Sequence, residues 1–140
     1  MKVVVTNVQR RHPVSPVRMR RLVQQTARRL KIAARGTMSV IFLSPGAMRT
    51  MNRRALRHDR VTDVLSFRYD GEPVIGEIAV APSEAAAYAR MNDVPYDEEL
   101  ARYVVHGLLH WTGRDDRTPS QQRRMRSDEN RLLRACGVMR

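Results

Sequence analysis

Cysteine and lysine are scarce in this sequence, and acidic residues are missing altogether from its first 58 positions. The single cysteine, Cys136, excludes a disulfide within the chain and fits a reducing compartment. Its place near the C-terminus reads as a small packing residue. No apolar run approaches the ~18 residues of a membrane-spanning helix. The start, Met1-Lys-Val-Val-Val, lacks the long apolar core and small-residue cleavage site of a secretory signal, so a cytoplasmic protein with no membrane contact is expected. Lys2 and Lys31 are the only lysines, and the other 24 basic residues are arginines. Residues 1–58 hold 14 basic and no acidic residues, whereas residues 59–140 hold 12 basic and 14 acidic ones. The net charge of +12 therefore belongs to the first part of the chain. Genome bias explains arginine in place of lysine but not a long stretch without an acid, so a polyanion, with nucleic acid first, is the partner expected.

The 140 residues suit one domain, 1–140, able to bury about 68% of the unfolded surface without staples. Residues 2–8 are β-branched and predict a strand. Ser15-Pro16 predicts the start of a helix running to about Ala34, with Val17, Leu22, Val23, Ala27 and Leu30 on one face and arginines on the other, ended by Gly36. A strand follows over 38–43, then an arginine-rich helix from Ser44-Pro45 to about Leu56. Residues 62–69 and 75–80 predict two strands joined by a turn at Asp70-Gly71-Glu72-Pro73. Three helices complete the chain, from Pro82 to Met91, from Tyr96 to Trp111, and from Thr118-Pro119 to near Gly137. This order implies an α+β fold, a small mixed four-stranded sheet with helices packed on it.

The most informative stretch is His106-Gly-Leu-Leu-His110-Trp-Thr-Gly113-Arg-Asp-Asp116. Histidines four apart share one helix face, so both imidazoles can reach one metal. Gly113 suits a left-handed helix end, which lets Asp116 close the site from the far side. The spacing is that of the zinc-protease signature H-E-x-x-H-x-x-G-x-x-H, with two changes. Gly107 replaces the glutamate base, which argues against peptide hydrolysis by that route. Asp116 replaces the third histidine, and an Asp oxygen binds zinc at nearly the same distance. Asp115 is its neighbour, exposed or behind the ligands. His12, beside Pro13, reads as solvated, and His58, in Arg57-His58-Asp59-Arg60, as an exposed loop residue that can also face the site. Trp111 reads as core, ahead of a base-stacking role.

Three blocks resemble the YbeY family of bacterial rRNA-maturation endoribonucleases. They are Met51-Asn-Arg-Arg-Ala-Leu-Arg-His-Asp-Arg-Val-Thr-Asp-Val-Leu-Ser-Phe67, Gly76-Glu-Ile-Ala-Val80 and His106-Gly-Leu-Leu-His110-Trp-Thr-Gly113, in the family's order and spacing. The resemblance covers nearly the whole chain. It implies metal ligands at His106, His110 and, by position, Asp116, where most members have a third histidine. Leu56 stands where many members have an arginine, with Arg57 next to it, and Arg114 stands where an aromatic residue is usual.

The resemblance implies a metal-dependent single-strand endoribonuclease acting in 16S rRNA 3′-end processing and ribosome quality control. One Zn²⁺ per chain is expected, able to lower the pKa of a bound water towards ~7 or to polarise a phosphate. Arg57 and Asp63 are the catalytic candidates, Arg57 or Arg54 for transition-state charge and Asp63 as one of several possible bases, beside metal hydroxide and the RNA 2′-hydroxyl. Arg53, Arg54 and Arg57, with the first helix, are expected to grip phosphates. The expected partners are rRNA precursor and the ribosome or small-subunit assembly proteins. Two rival readings are a non-catalytic ribosome-associated factor with a structural metal and a metal-dependent peptide hydrolase.

Overall fold

A computed structural model describes residues 1–32, 35–58, 62–71 and 73–140. Its elements are β1 (Lys2–Asn7), α1 (Pro16–Arg29), β2 (Thr37–Phe42), α2 (Pro45–Leu56), β3 (Val64–Arg68), β4 (Val74–Val80), α3 (Pro82–Asn92), α4 (Tyr96–Trp111) and α5 (Pro119–Ala135). The four strands form one sheet in the order β1-β2-β4-β3. β1 and β4 each pair parallel with β2, and the edge strand β3 pairs antiparallel with β4. This is the α+β arrangement with a mixed four-stranded sheet that the sequence predicts.

Alternation along the strands gives the sheet two apolar faces. Val40, Phe42, Ile78 and Val80 join Leu22 and Val23 of α1 and Leu100, Val104 and Leu108 of α4 in the larger core. Leu65 and Ala79, on the other face, pack with Met48 of α2. Ser44 caps α2 by accepting the Ala47 N–H, and Ser15 caps α1 by accepting the Arg18 N–H. α1 ends at Arg29, earlier than predicted, and Ala33 and Ala34 lie outside the described residues. The chain turns there because Lys31 adopts φ 56°, and the Ile32 N–H bonds the Ala27 carbonyl at 3.0 Å, tucking Ile32 against the core. Burial of that aliphatic side chain outweighs another helical turn. Glu72 of the predicted turn also lies outside the described residues. His12 is half-buried, with its ring 6.1 Å from that of Tyr96.

α4 is the organising element. It touches β3, β4, α1, α3 and α5. Eleven of its sixteen residues are buried. Asp97, Glu98 and Glu99 sit in its first turn, where the helix dipole favours negative charge. Gly107 lets this helix approach the sheet closely. A Cβ there would lie 2.6 Å from Ile78 Cγ2 and 3.1 Å from Val64 Cγ2. Gly76 does the same for the indole of Trp111, whose Nε1 donates to the Ile75 carbonyl at 3.0 Å. Trp111 is thus a core residue, with the Arg68 guanidinium 4.5 Å above its ring.

Ile78 is fully buried in a central strand and has nowhere to move. Overpacking costs about 1–3 kcal/mol, whereas replacing a helical glycine by alanine returns about 1 kcal/mol. Gly107→Ala is therefore expected to lower the midpoint of denaturant unfolding and Gly107→Glu to prevent folding. A stabilised Gly107→Ala protein would overturn this account of the helix seating.

Candidate metal centre

His106 and His110 lie one turn apart on α4, on the flank next to the face that Gly107 turns to the sheet. Their ring centroids are 4.5 Å apart with planes at 73°. The helix ends immediately afterwards. Gly113 takes φ 100°, its N–H bonds the His110 carbonyl at 2.9 Å, and the Arg114 N–H bonds the Leu109 carbonyl at 3.2 Å. This paired closure on a left-handed residue reverses the chain. Asp116 consequently faces the histidines. Its Oδ2 is 3.4 Å from His106 Nε2 and its Oδ1 is 3.4 Å from His110 Nε2. The three potential ligand atoms lie within 4.8 Å of one another.

The loop carrying Asp116 is pinned at its far end by the start of α5. Thr118 accepts the Gln121 N–H, and the Gln121 side-chain oxygen accepts the N–H groups of Thr118 and Arg117. Asp115 accepts the Asp116 N–H at 3.1 Å and pairs with Arg117 at 3.3 Å, so it faces away from the cluster. Two imidazole nitrogens and a carboxylate oxygen are a donor set that suits zinc. The side chains are 20%, 29% and 36% exposed for His106, His110 and Asp116, which leaves one side of the cluster open to solvent.

Sequence reasoning missed the residues behind the cluster. Glu129 of α5, 4% exposed, accepts from His106 Nδ1 through Oε2 at 2.6 Å. That contact puts the ring proton on Nδ1 and turns the Nε2 lone pair towards Asp116 and His110. Glu129 Oε1 in turn accepts from Arg102 Nη1 at 3.1 Å. Arg102 precedes His106 by one turn of α4, so it lies under the same face. Burial pulls the His106 pKa down. The hydrogen bond and charge of Glu129, with the charges of Asp116 and Asp63, outweigh that and raise it above the usual histidine value. The surroundings of His106 thus favour positive charge. A buried acid on the helix after the motif was the one available signal, and it did not separate Glu129 from Asp128.

Of the other predicted residues, Asp63 reaches the site. It lines the same cavity as His106 and Asp116, and its Oδ1 accepts the Val64 N–H at 2.8 Å. Arg53, Arg54 and Arg57 do not line that cavity. They stand exposed at the C-terminal end of α2, where Arg57 is the left-handed cap at φ 60°. Leu56 is half-exposed beside them, and His58 is exposed. Asp59 and Arg60 lie outside the described residues. Arg114 points to α5, 3.4 Å from Asp128.

Because Glu129 fixes the His106 tautomer and balances Arg102, Glu129→Gln is expected to weaken metal binding by about 10–100-fold, as read by competition with a chromophoric chelator. An unchanged affinity would detach Glu129 from the centre. A second expectation concerns Glu99, one turn before Arg102. Burial raises its pKa above 4.5, with Glu129 and Glu98 adding to the rise, and the charges of Arg102 and Arg126 do not fully offset it. The native state therefore holds the Glu99 proton more tightly than the unfolded chain. Ionised Glu99 costs stability above pH 4.5 and costs none well below it. Glu99→Gln is expected to melt higher than the parent at pH 7, with the difference vanishing below pH 4.5. A lower melting temperature at pH 7 would reverse that assignment.

Comparison with known proteins gives the family. The family model described as endoribonuclease YbeY matches residues 4–137. The chain is 33% identical over 99 residues to endoribonuclease YbeY of Phocaeicola vulgatus, covering 70% of this chain and 72% of that protein. It is 33% identical over 134 residues to the Anaeromyxobacter dehalogenans protein of the same name, covering 91% and 69%. Its fold matches the solution structure of a Thermotoga maritima protein with a TM-score of 0.67 at 24% identity, over 96% of this chain and 88% of that one. The chain belongs to the endoribonuclease YbeY family.

Proposed function

We propose that the chain, acting as one domain over 1–140, is a metal-dependent endoribonuclease of the cytoplasm. Its substrate is single-stranded RNA within small-subunit rRNA precursor, and its role is in rRNA maturation and ribosome quality control. The ribosome or small-subunit assembly proteins are its partners. The observation that carries this reading is the convergence of His106 Nε2, His110 Nε2 and both Asp116 oxygens, with Glu129 orienting His106 from behind. These donors suit a zinc ion, which when bound supplies Lewis acidity towards a phosphoryl oxygen and acidifies a water.

The protein's own groups do the rest. His106, His110 and Asp116 would bind the ion, and Glu129 keeps the His106 proton on Nδ1. Asp63 shares the cleft, and its second oxygen has no hydrogen-bond partner among the described residues, so it is suited to hold a proton. Arg53, Arg54 and Arg57 grip backbone phosphates from the end of α2, and the arginines of α1 add affinity without reading sequence. Single strands are favoured because their backbone bends into a shallow, open site. The open side of the cluster favours a catalytic over a closed structural ion. Peptide hydrolysis by the zinc-protease route is disfavoured, because residue 107 is where that base would stand and Ile78 fills the space.

The test uses purified protein and end-labelled small-subunit rRNA precursor, with and without chelator. Cleavage is expected that chelator abolishes and that falls at least 100-fold in Asp116→Ala, as for lost metal ligands or their supports. His106→Ala is expected to lose its metal in elemental analysis. Retention of one metal per chain in that variant would sink the ligand assignment, and tight RNA binding with no cleavage under any metal would leave a structural ion.

A further inference from the structure

A cavity of about 270 Å³, with His106 and Asp116 on its wall, opens between α3, α4 and α5. Asp63, Tyr88, Glu99, Tyr103, Met125 and Arg126 also line it. Two of these, Tyr103 and Glu99, are buried residues with polar side-chain atoms that accept or donate no hydrogen bond among the described residues. Tyr103 is 8% exposed, and its hydroxyl makes no hydrogen bond among the described residues. Burial, followed by the charges of Asp63, Glu99 and Glu84, holds that hydroxyl in its neutral form. Glu99 is 5% exposed. Its carboxylate accepts no hydrogen bond among the described residues, and its ion-pair partner Arg102 stands 3.9 Å away, already bonded to Glu129. Neither the Tyr103 hydroxyl nor the Glu99 carboxylate is among the fully enclosed atoms that lack a partner, so both reach the open cavity, where a ligand's polar edge can meet them.

The walls say what kind of edge. Met125 is buried and apolar, and the Tyr88 ring is 40% exposed at the mouth. Asp63, Glu99, Asp116 and Glu129 outnumber Arg102 and Arg126 on its walls, so the lining is net acidic and disfavours a phosphate group. Arg126 of α5 stands exposed and can meet a phosphate outside. Among the described residues the histidine–aspartate cluster is the one group of metal-ligating side chains, so nothing here is built for a second ion. A flat heteroaromatic ring bearing an amino donor beside an acceptor satisfies every wall. It stacks on Tyr88, gives its amino hydrogens to Glu99 and accepts from the Tyr103 hydroxyl.

We infer that this cavity is a nucleobase subsite that accepts an amino-bearing base (adenine, cytosine or guanine) over uracil, at a nucleotide next to the scissile phosphate. The inference rests on the endoribonuclease reading and gives it a substrate preference. Glu99 and Tyr103 are the specificity-determining residues. Uracil has no amino group; its single N3–H lies between two carbonyl oxygens, so an edge turned to an ionised Glu99 brings an oxygen against it, whereas an amino group offers two hydrogens.

The test measures fluorescence anisotropy of short single-stranded cytidylate, adenylate and uridylate oligomers in chelator, where no cleavage occurs, and separately their cleavage with zinc. The full chain, Glu99→Gln and Tyr103→Phe are compared. The parent is expected to bind the cytidylate and adenylate oligomers about tenfold more tightly than uridylate, the scale of one good base-edge contact. In Glu99→Gln the amide can donate to a uracil carbonyl, so the preference should collapse to within about twofold, mainly through tighter uridylate binding. Tyr103→Phe keeps the ring and should weaken the amino-bearing oligomers several-fold. Stacking alone also favours adenine, so the change in Glu99→Gln is decisive. Equal binding of all oligomers, or a preference that Glu99→Gln leaves intact, overturns the subsite even if zinc-dependent cleavage is found. A preference that collapses as expected, with no cleavage under any metal, supports the subsite and removes the nuclease reading instead.

Discussion

The seating of α4 against β3 and β4 is the constraint on which the rest of the molecule depends. Gly107 and Gly76 remove two side chains where helix and sheet would otherwise collide. The sheet side of the helix is then committed to Ile78 and Val64, and the flank beside it, which carries Glu99, Arg102, Tyr103 and His106, becomes the floor of the cleft. The histidines are aimed by this packing and not by their own contacts alone. Ser66 and Arg68 add to it, donating to the carbonyls of Gly107 and Trp111 at 2.9 Å each. A helix locked at so many points offers a rigid base for ligands that must keep their geometry when loaded. The same packing explains why the zinc-protease base is missing. A glutamate at 107 would have to enter the sheet.

Behind the ligands runs a buried line of alternating charge, from Glu99 to Arg102 to Glu129 to His106. An ion pair buried this deeply is weak evidence for stability, because desolvation offsets most of its attraction. Its use here is orientation. Arg102 holds Glu129, Glu129 holds the His106 ring, and the ring presents one nitrogen outwards. The line also joins α4 to α5, two helices that otherwise meet through apolar contacts near Met125 and Leu132. The cleft is thereby tied to the C-terminal helix, although none of the three clustered side chains lies on it.

The helices and strands were legible because their signals are local. Ser-Pro pairs mark the starts of α1 and α2, β-branched runs mark the strands, and acids lead α4. The early end of α1 was not legible, because it is decided by Ile32 reaching a core that no local window contains. The cluster was readable from one helix turn plus a glycine, since i, i+4 spacing and a left-handed stop are properties of the backbone. Glu129 was not readable, because its contact with His106 spans 23 residues and depends on how α5 lies against α4. Asp63 was flagged by motif and is found at the cleft. The arginines near 57, flagged with it, stand on a helix end outside the cavity wall.

The division of charge along the sequence becomes a division in space. The acid-free first part supplies α1 and α2, with their exposed arginines. The second part supplies Asp63, Glu99, Asp116 and Glu129, which meet in one cleft. A polyanion is drawn in by the outer arginines over distances of roughly a Debye length, ~8 Å at physiological salt. Close to the centre it meets carboxylates, which oppose the last approach of a phosphate. A divalent cation held by His106, His110 and Asp116 would offset a large part of that local field. Metal dependence would then have an electrostatic component separate from chemistry, since without the ion the site repels the group on which it acts. An uncharged base entering the Glu99 and Tyr103 end of the same cleft suffers no such repulsion, so the acidic lining there favours amino hydrogens over phosphate oxygens.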